Sequence, residues 1–166
     1  GNSVTINVST STVGAFSYVL TSVRDASPLN CSQTQAGTAT VTVFSKPTGA
    51  TIIGSTAVCL NATFPTITLS GQGGSGNYMF TYNINGGANQ TLNSTAGQAT
   101  ILVPTGTAGS FTYNLVSVED PSNALCRTDV NSSATVTVNP LPTASVSGAT
   151  TICQNAASPT ITFTGS

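Results

Sequence analysis

The sequence has almost no charge. Only 4% of its 166 residues are Asp, Glu, Lys or Arg, and it contains no His and no Trp. About a quarter of an ordinary soluble domain is charged. We expect no nucleic-acid partner, because a phosphate backbone requires clustered cations, and Arg24, Lys46 and Arg127 lie far apart in the sequence.

Side chains for catalysis are equally scarce. General acid–base chemistry relies on His or on paired carboxylates, whereas the only acids are Asp25, Glu119, Asp120 and Asp129. Asp25 and Asp120 follow two similar strand patterns, so we interpret each as accepting backbone N–H groups in a turn. A calcium ligand is the alternative. We therefore expect no enzyme, no metal site and no cofactor.

Long apolar runs are missing as well. No stretch approaches the roughly 18 to 20 residues of a membrane-spanning helix, which predicts no membrane insertion. Residues 1–10 lack the basic and apolar segments of a signal peptide, so we expect any export signal to lie outside this sequence. Disorder is not expected, because β-branched and aromatic residues recur at regular spacing.

The sequence repeats itself. A shift of 95 places Phe16 on Phe111 and Cys31 on Cys126, and a shift of 94 places Cys59 on Cys153. A period of about 94 residues is the size of one immunoglobulin-like sandwich. Pro-containing segments at 44–47 and 139–142 mark the expected linkers, because Pro cannot donate to a β-ladder.

These linkers divide the chain into three parts. Residues 1–46 are predicted to be the C-terminal part of a first sandwich, residues 47–141 a complete sandwich, and residues 142–166 the N-terminal part of a third. Alternating apolar patterns and turn signals predict the strands of the complete unit, with a Gly-rich turn at 71–76 and a second turn at Asn85-Gly86-Gly87. The predicted strands are 51–54, 56–60, 66–70, 78–85, 90–93, 98–103, 110–118 and 134–139.

One face of these strands should form the core. The expected core residues are Ile67, Leu69, Phe80, Tyr82, Ile84, Ile101, Val103, Phe111, Tyr113, Leu115, Val136 and Val138. Tyr78 is also expected to be buried, although exposed Tyr78 and Tyr82 could stack on sugar rings. The apolar phase changes between Leu115 and Val118, which predicts a β-bulge near Ser117 and near the equivalent Ser22.

A family resemblance supports this fold. Residues 109–120 (GSFTYNLVSVED) followed by ATVTV at 134–138 resemble the last two strands of polycystic-kidney-disease-type (PKD) and related immunoglobulin-like sandwiches. With Thr-Ile-Cys153 before a Pro-Thr-Ile-Thr strand, the fuller pattern resembles repeat arrays of large Bacteroidota surface proteins exported by type IX secretion, including gliding-motility adhesins. The resemblance implies tandem, all-β, antiparallel sandwiches at the cell surface.

Four cysteines in such a chain suggest an oxidising compartment. One pairing joins Cys59 to Cys126 within the complete unit and leaves Cys31 and Cys153 to partners outside this sequence. The other joins Cys31 to Cys59 and Cys126 to Cys153, across the linkers. The first is favoured, because a bond enclosing the unit would restrict its unfolded state by roughly 4 kcal/mol.

Three functions are consistent with these features. The chain is expected to be a disulfide-stabilised spacer or adhesin stalk of a very large extracellular, cell-surface protein. The alternatives are a subunit of an intertwined filament or surface appendage, and a carbohydrate-binding accessory module. The expected partners are neighbouring repeats of the same chain, other copies of it, or cell-surface glycans.

Overall fold

The computed structural model describes residues 3–166, without the side-chain surroundings of residues 123–125. All regular secondary structure in this range is β-strand, which confirms the predicted all-β fold. The strands are β1 (Gly14–Arg24), β2 (Ser32–Val43), β3 (Pro47–Ile53), β4 (Thr56–Cys59), β5 (Thr66–Gly73), β6 (Met79–Ile84), β7 (Gln90–Asn93), β8 (Gln98–Leu102), β9 (Gly109–Asp120), β10 (Asn123–Asn139), β11 (Ala144–Ser147) and β12 (Thr162–Gly165).

Strands β3 to β10 form one two-layered sandwich. One sheet has the order β3-β5-β8 and the other β4-β10-β9-β6-β7. All pairs are antiparallel except β4 with β10, because the chain crosses between the sheets after β3 and continues in the same direction. This order is immunoglobulin-like. Pro47 lies at one end of the sandwich beside Gly73, and Asn139 lies at the other beside Cys59.

The core lies between the two sheets. Nine of the twelve expected core residues are buried, among them Phe80, Leu69 and Val136 at 0% exposure. The other three, Ile84, Ile101 and Phe111, are half-buried and pack against the core edge. They lie toward the Asn139 end, where the two layers open. The alternating patterns therefore identified the inward face of most strands.

The predicted bulge is present in both copies. In β9, Leu115 and Ser117 pair with consecutive residues of β6, so Val116 is the extra residue. The first copy shows the same register shift between Leu20 and Ser22. An extra residue reverses the facing of a period-2 strand, and this allows Leu115 and Val118 to enter the same core.

Glycines permit one tight turn and one close packing contact in the sandwich. Asn85 and Gly86 both have positive φ, 52° and 72°, which is the backbone of the tight hairpin turn that the Asn-Gly pair predicted. The Gly-rich turn expected at 71–76 begins later than predicted, because strand β5 continues to Gly73. A Cβ at Gly71 would lie 2.3 Å from the Tyr78 ring, so only glycine lets this ring pack against the strand.

The linker expected at 44–47 is shorter than predicted, because Pro47 belongs to the sandwich. It is fully buried at the start of β3, and its carbonyl accepts a hydrogen bond of 2.5 Å from the Thr128 hydroxyl. As the first residue of its strand, a proline loses little by having no N–H. The division of the chain at 1–46, 47–141 and 142–166 stays a prediction.

Two hairpins flank the sandwich. Strand β1 pairs with β2, and β11 pairs with β12, both antiparallel. Every residue from Leu141 to Ser166 is exposed. Large apolar side chains in both flanks face solvent: Leu20 is 53% exposed and Phe163 is 79% exposed. Within residues 3–166, these core-type side chains of the flanks are therefore not enclosed in a core.

Candidate functional site

The buried carboxylate of Asp120 fills a structural role. The hydroxyl and backbone N–H of Ser122 donate to its Oδ1, at 2.5 and 2.9 Å. Hydrogen bonds from the hydroxyls of Ser122 and Ser75 and from the Ser122 N–H hold the pKa of Asp120 below its usual value. Asp25 accepts the same two bonds from Ser27. The turn interpretation of both residues is confirmed.

Arg127 and Asp129 form an ion pair at the surface. Arg127 Nε lies 3.1 Å from Asp129 Oδ1, with both side chains largely exposed, and such surface pairs contribute little to stability. Within residues 3–166, the structure brings no three His, Cys, Asp or Glu side chains together as a metal site. Over the same range it contains no helix long and apolar enough to cross a membrane.

The tyrosines predicted in the core are buried there. Tyr78 is 5% exposed and donates from its hydroxyl to the Gly73 carbonyl at 2.5 Å. Tyr82 is 8% exposed and stacks on Tyr113, with ring centroids 6.4 Å apart. Burial, and then the neighbouring Tyr82, raise the pKa of Tyr113. These rings therefore stabilise the interior and leave little surface for stacking on a sugar.

The structure does not bring Cys59 and Cys126 together. Cys59 pairs with Asn139 at one end of β10, and Cys126 lies near the opposite end, on the order of 40 Å away at the rise of an extended strand. A disulfide needs Cα atoms within about 7 Å. All four cysteines are free thiols, including Cys31 and Cys153. The pairing stays a prediction, and this arrangement of strands disfavours it.

An apolar cleft of 380 Å³ opens at the Asn139 end. Its walls include the half-buried Ile84 and Phe111, with Val103 and Tyr113 deeper inside. Small-molecule sites combine apolar walls with a few convergent polar groups, but most of this lining is apolar. We interpret the cleft as the open end of the sandwich.

The inner faces of the two hairpins, whose apolar side chains are half-buried or exposed, are the most distinctive surfaces of the chain. We call them the β1–β2 face (Phe16, Tyr18, Leu20, Val41 and Val43) and the β11–β12 face (Val146, Ile161 and Phe163). In the sandwich, the equivalent residues of β9, β10, β3 and β5 form the core. Sequence reasoning identified the repeat but did not identify these faces as surfaces.

Comparisons with known proteins add little beyond the fold. No family model matches the chain, and no curated protein matches it. Among solved structures, the chain is similar to the CARDB domain of a Pyrococcus furiosus protein, determined in complex with di-metal ions. That match has 17% identity and a TM-score of 0.37, and it covers 59% of this chain and 96% of the other. The immunoglobulin-like assignment rests on the strand order described above.

Proposed function

We propose that the chain is a structural segment of a tandem array of immunoglobulin-like sandwiches, acting as a spacer or adhesin stalk in a large extracellular protein. Catalysis has no part in this function. Neighbouring repeats are the main partners, and the cell surface is the proposed location, on the basis of the low charge and of the resemblance to repeat arrays of surface proteins. No described feature favours glycan binding, because Tyr78 and Tyr82 are buried.

The observation that carries this proposal is that both flanks repeat the strand pairing of the sandwich. Phe16 pairs with Val41 as Phe111 pairs with Val136. Val146 pairs with Phe163 as Ile52 pairs with Leu69. Every residue pair of the β1–β2 ladder has its counterpart between β9 and β10, including the bulge.

Even the backbone constraints are repeated. A Cβ at Gly54 would lie 2.3 Å from the Thr66 carbonyl oxygen, and a Cβ at Gly148 would lie 2.2 Å from that of Thr160. Both glycines have positive φ, 118° and 108°. The same close approach of two strands therefore occurs at the same point of two consecutive units.

The chain enters and leaves the sandwich at opposite ends, which suits a spacer. Pro47 and Asn139 leave the sandwich at opposite ends, so each unit adds on the order of 40 Å along the array, the length of a 12-residue strand. Tension applied through these residues loads the parallel β4–β10 ladder along its length. Its four residue pairs must then separate together, because the force acts across all their hydrogen bonds at once.

Single-molecule stretching of the chain from its two ends tests this proposal. We expect one main unfolding event that releases residues 47–139, which extends the chain by roughly 300 Å given the contour length per residue. A chain that lengthens gradually without this event would contradict a role in resisting tension.

A matched pair of proline variants identifies the ladder that bears the load. The Leu60 N–H donates to the Asn139 carbonyl. Because donors alternate along a strand, the Val58 N–H also points to β10 and the Ala57 N–H points away. Val58→Pro should lower the unfolding force more than Ala57→Pro, and Val58→Ala controls for the lost side chain. Equal unfolding forces for the two proline variants would show that the β4–β10 ladder does not resist the applied tension.

A further inference from the structure

The two cysteines of the complete sandwich lie at opposite ends of it, each beside a linker. Cys59 pairs with Asn139, where the chain leaves the sandwich. Cys126 lies on β10 close to Thr128, whose hydroxyl donates to the carbonyl of Pro47, where the chain enters. We call Cys59 the exit cysteine and Cys126 the entry cysteine. A linker between two such sandwiches therefore begins beside an exit cysteine and ends beside an entry cysteine.

The repeat preserves both positions. Cys31 is the entry cysteine of the first repeat and Cys153 is the exit cysteine of the third, so each position is occupied by cysteine in both repeats that contain it here. Cys31, Cys59 and Cys153 are exposed, and Cys126 is half-buried. The thiols at the ends of the repeats are therefore open to a partner from a neighbouring repeat.

Other pairings do not fit an extended array. A disulfide needs Cα atoms within about 7 Å, and Cys59 and Cys126 of one repeat are separated by the length of β10. A bond from Cys31 to Cys59, or from Cys126 to Cys153, would have to span two consecutive sandwiches, each on the order of 40 Å long. The pair that remains joins the exit cysteine of one repeat to the entry cysteine of the next.

The linker keeps these two cysteines close. Only Pro140 and Leu141 lie between Asn139 and Pro142, which limits the distance between the two sandwiches to about 10 Å at full extension. Cys59 is the strand neighbour of Asn139, at a spacing of about 5 Å. The two prolines also restrict the conformations of the linker. The short linker therefore brings the exit cysteine of one repeat near the entry cysteine of the following one.

We propose that a disulfide joins Cys59 to the entry cysteine of the next repeat, and that Cys126 is joined in the same way to the exit cysteine of the preceding one. This inference rests on the tandem array proposed above. Oxidised glutathione, or another disulfide donor, supplies the oxidation by exchange. One cysteine thiolate displaces a glutathione thiolate, and the second cysteine thiolate then displaces the other. The two cysteine protons leave on the two glutathione thiols.

The bond changes how the array carries tension. From Pro47 the chain runs through β3 and β4 to Cys59, and from Cys126 it runs through β10 to Asn139. Each of these paths is about 40 Å long when extended, so each is already close to full extension in the folded sandwich. With the bonds in place, a covalent route crosses every repeat along one of these two paths. Unfolding a repeat then adds little length, in place of the roughly 300 Å of an unbridged repeat.

A tandem chain in which residues 1–141 are followed by residues 47–166 tests the bond. It has two complete sandwiches and a native junction, because Pro47-Thr48 and Pro142-Thr143 are identical. We expect oxidation in a glutathione buffer to join Cys59 of the first sandwich to Cys126 of the second. The other four of its six cysteines should stay reactive toward a thiol reagent, and mass spectrometry of unreduced peptides identifies the bonded pair.

The duplicated sandwich provides its own matched control. Cys59→Ser in the first sandwich should abolish the bond, whereas the same substitution in the second sandwich should leave it intact. The exposed position of Cys59 lets either variant fold. Six free thiols after oxidation would overturn the proposal. A bond between any other two cysteines, or one that survives Cys59→Ser in the first sandwich, would also overturn it.

Stretching the tandem chain from its ends separates this inference from the mechanical role. The reduced chain should lengthen in two steps of roughly 300 Å each. The oxidised chain should show neither step, because the covalent route passes from Pro47 to Cys59 and then from Cys126 to Asn139. If the reduced chain lacks the steps, the proposed mechanical role fails on its own. If oxidation leaves both steps in place, the disulfide between repeats is wrong and the mechanical role stands.

Discussion

Leu115 and Leu20 provide a direct comparison of the sandwich with its repeated flank. Both are leucines at the same position of the same strand pattern, each one residue before a bulge. Leu115 is 1% exposed and Leu20 is 53% exposed. The two substitutions Leu115→Ala and Leu20→Ala therefore change the same atoms in two very different surroundings.

The expected difference in stability is large. Removing a fully buried leucine side chain costs about 2 to 5 kcal/mol, from the lost transfer free energy and the cavity left behind. Leu115 lies between the two sheets on central strand β9, where collapse around the cavity is limited, so we expect about 3 kcal/mol. A substitution at an exposed site such as Leu20 should stay within about 0.5 kcal/mol.

Urea unfolding followed by tyrosine fluorescence measures both values, at protein concentrations low enough to keep the chain monomeric. The midpoint should fall strongly for Leu115→Ala with an unchanged slope, and it should hardly move for Leu20→Ala. Equal losses would refute the reasoning, because they would show that the β1–β2 face packs into a core of its own.

Three further outcomes are expected. Ser117 is fully buried and its hydroxyl has no hydrogen-bond partner among the described residues, so Ser117→Ala should stabilise the sandwich by about 1 kcal/mol. The equivalent substitution in the exposed copy, Ser22→Ala, should leave the stability unchanged. A loss of stability for Ser117→Ala in urea unfolding would contradict this reasoning. Because the pKa of Asp120 is lowered in the folded state, its contribution is present above the unfolded value of about 3.9 and is lost as the pH falls below it. The stability difference between wild type and Asp120→Asn should therefore shrink below pH 4, and a difference that grows on acidification would show the opposite sign. Titration of the folded, unreduced protein with a thiol reagent should find four free thiols, three reacting quickly and the half-buried Cys126 more slowly, whereas two thiols would indicate that a disulfide has formed.

Local sequence signals predicted much of the fold. The Asn85-Gly86 pair marked a tight turn, and the change of apolar phase after Leu115 marked the bulge, because both depend on backbone rules that act within a few residues. Alternation identified the inward face of β5, β6 and β9. Incomplete burial of Phe111 was not predictable in this way, because it depends on where the two layers open.

Strand β10 shows the limit of such signals. Its predicted start was Ala134, but it begins at Asn123. The intervening residues include Arg127 and Asp129 and have no apolar alternation, yet they pair with β9. Backbone pairing with β9 extends the strand where its own side chains gave no indication.

The positions of the cysteines depended on topology. Repeat spacing placed Cys59 and Cys126 in one unit, and the parallel pairing of β4 with β10 shows that they lie at opposite ends of it. The exposure of apolar residues in the flanks was not predicted for a related reason. Val4 and Phe163 have core-type identities in the sequence, and only the structure shows them exposed.

Hydrogen exchange of the dilute, monomeric chain tests the central claim most directly, that one complete sandwich is flanked by unpacked copies of its own strands. Amides of β5, β6 and β9 should exchange only through global unfolding, whereas those of β1, β2, β11 and β12 should exchange faster through local opening. Equally strong protection of the flanks and the sandwich would contradict the account.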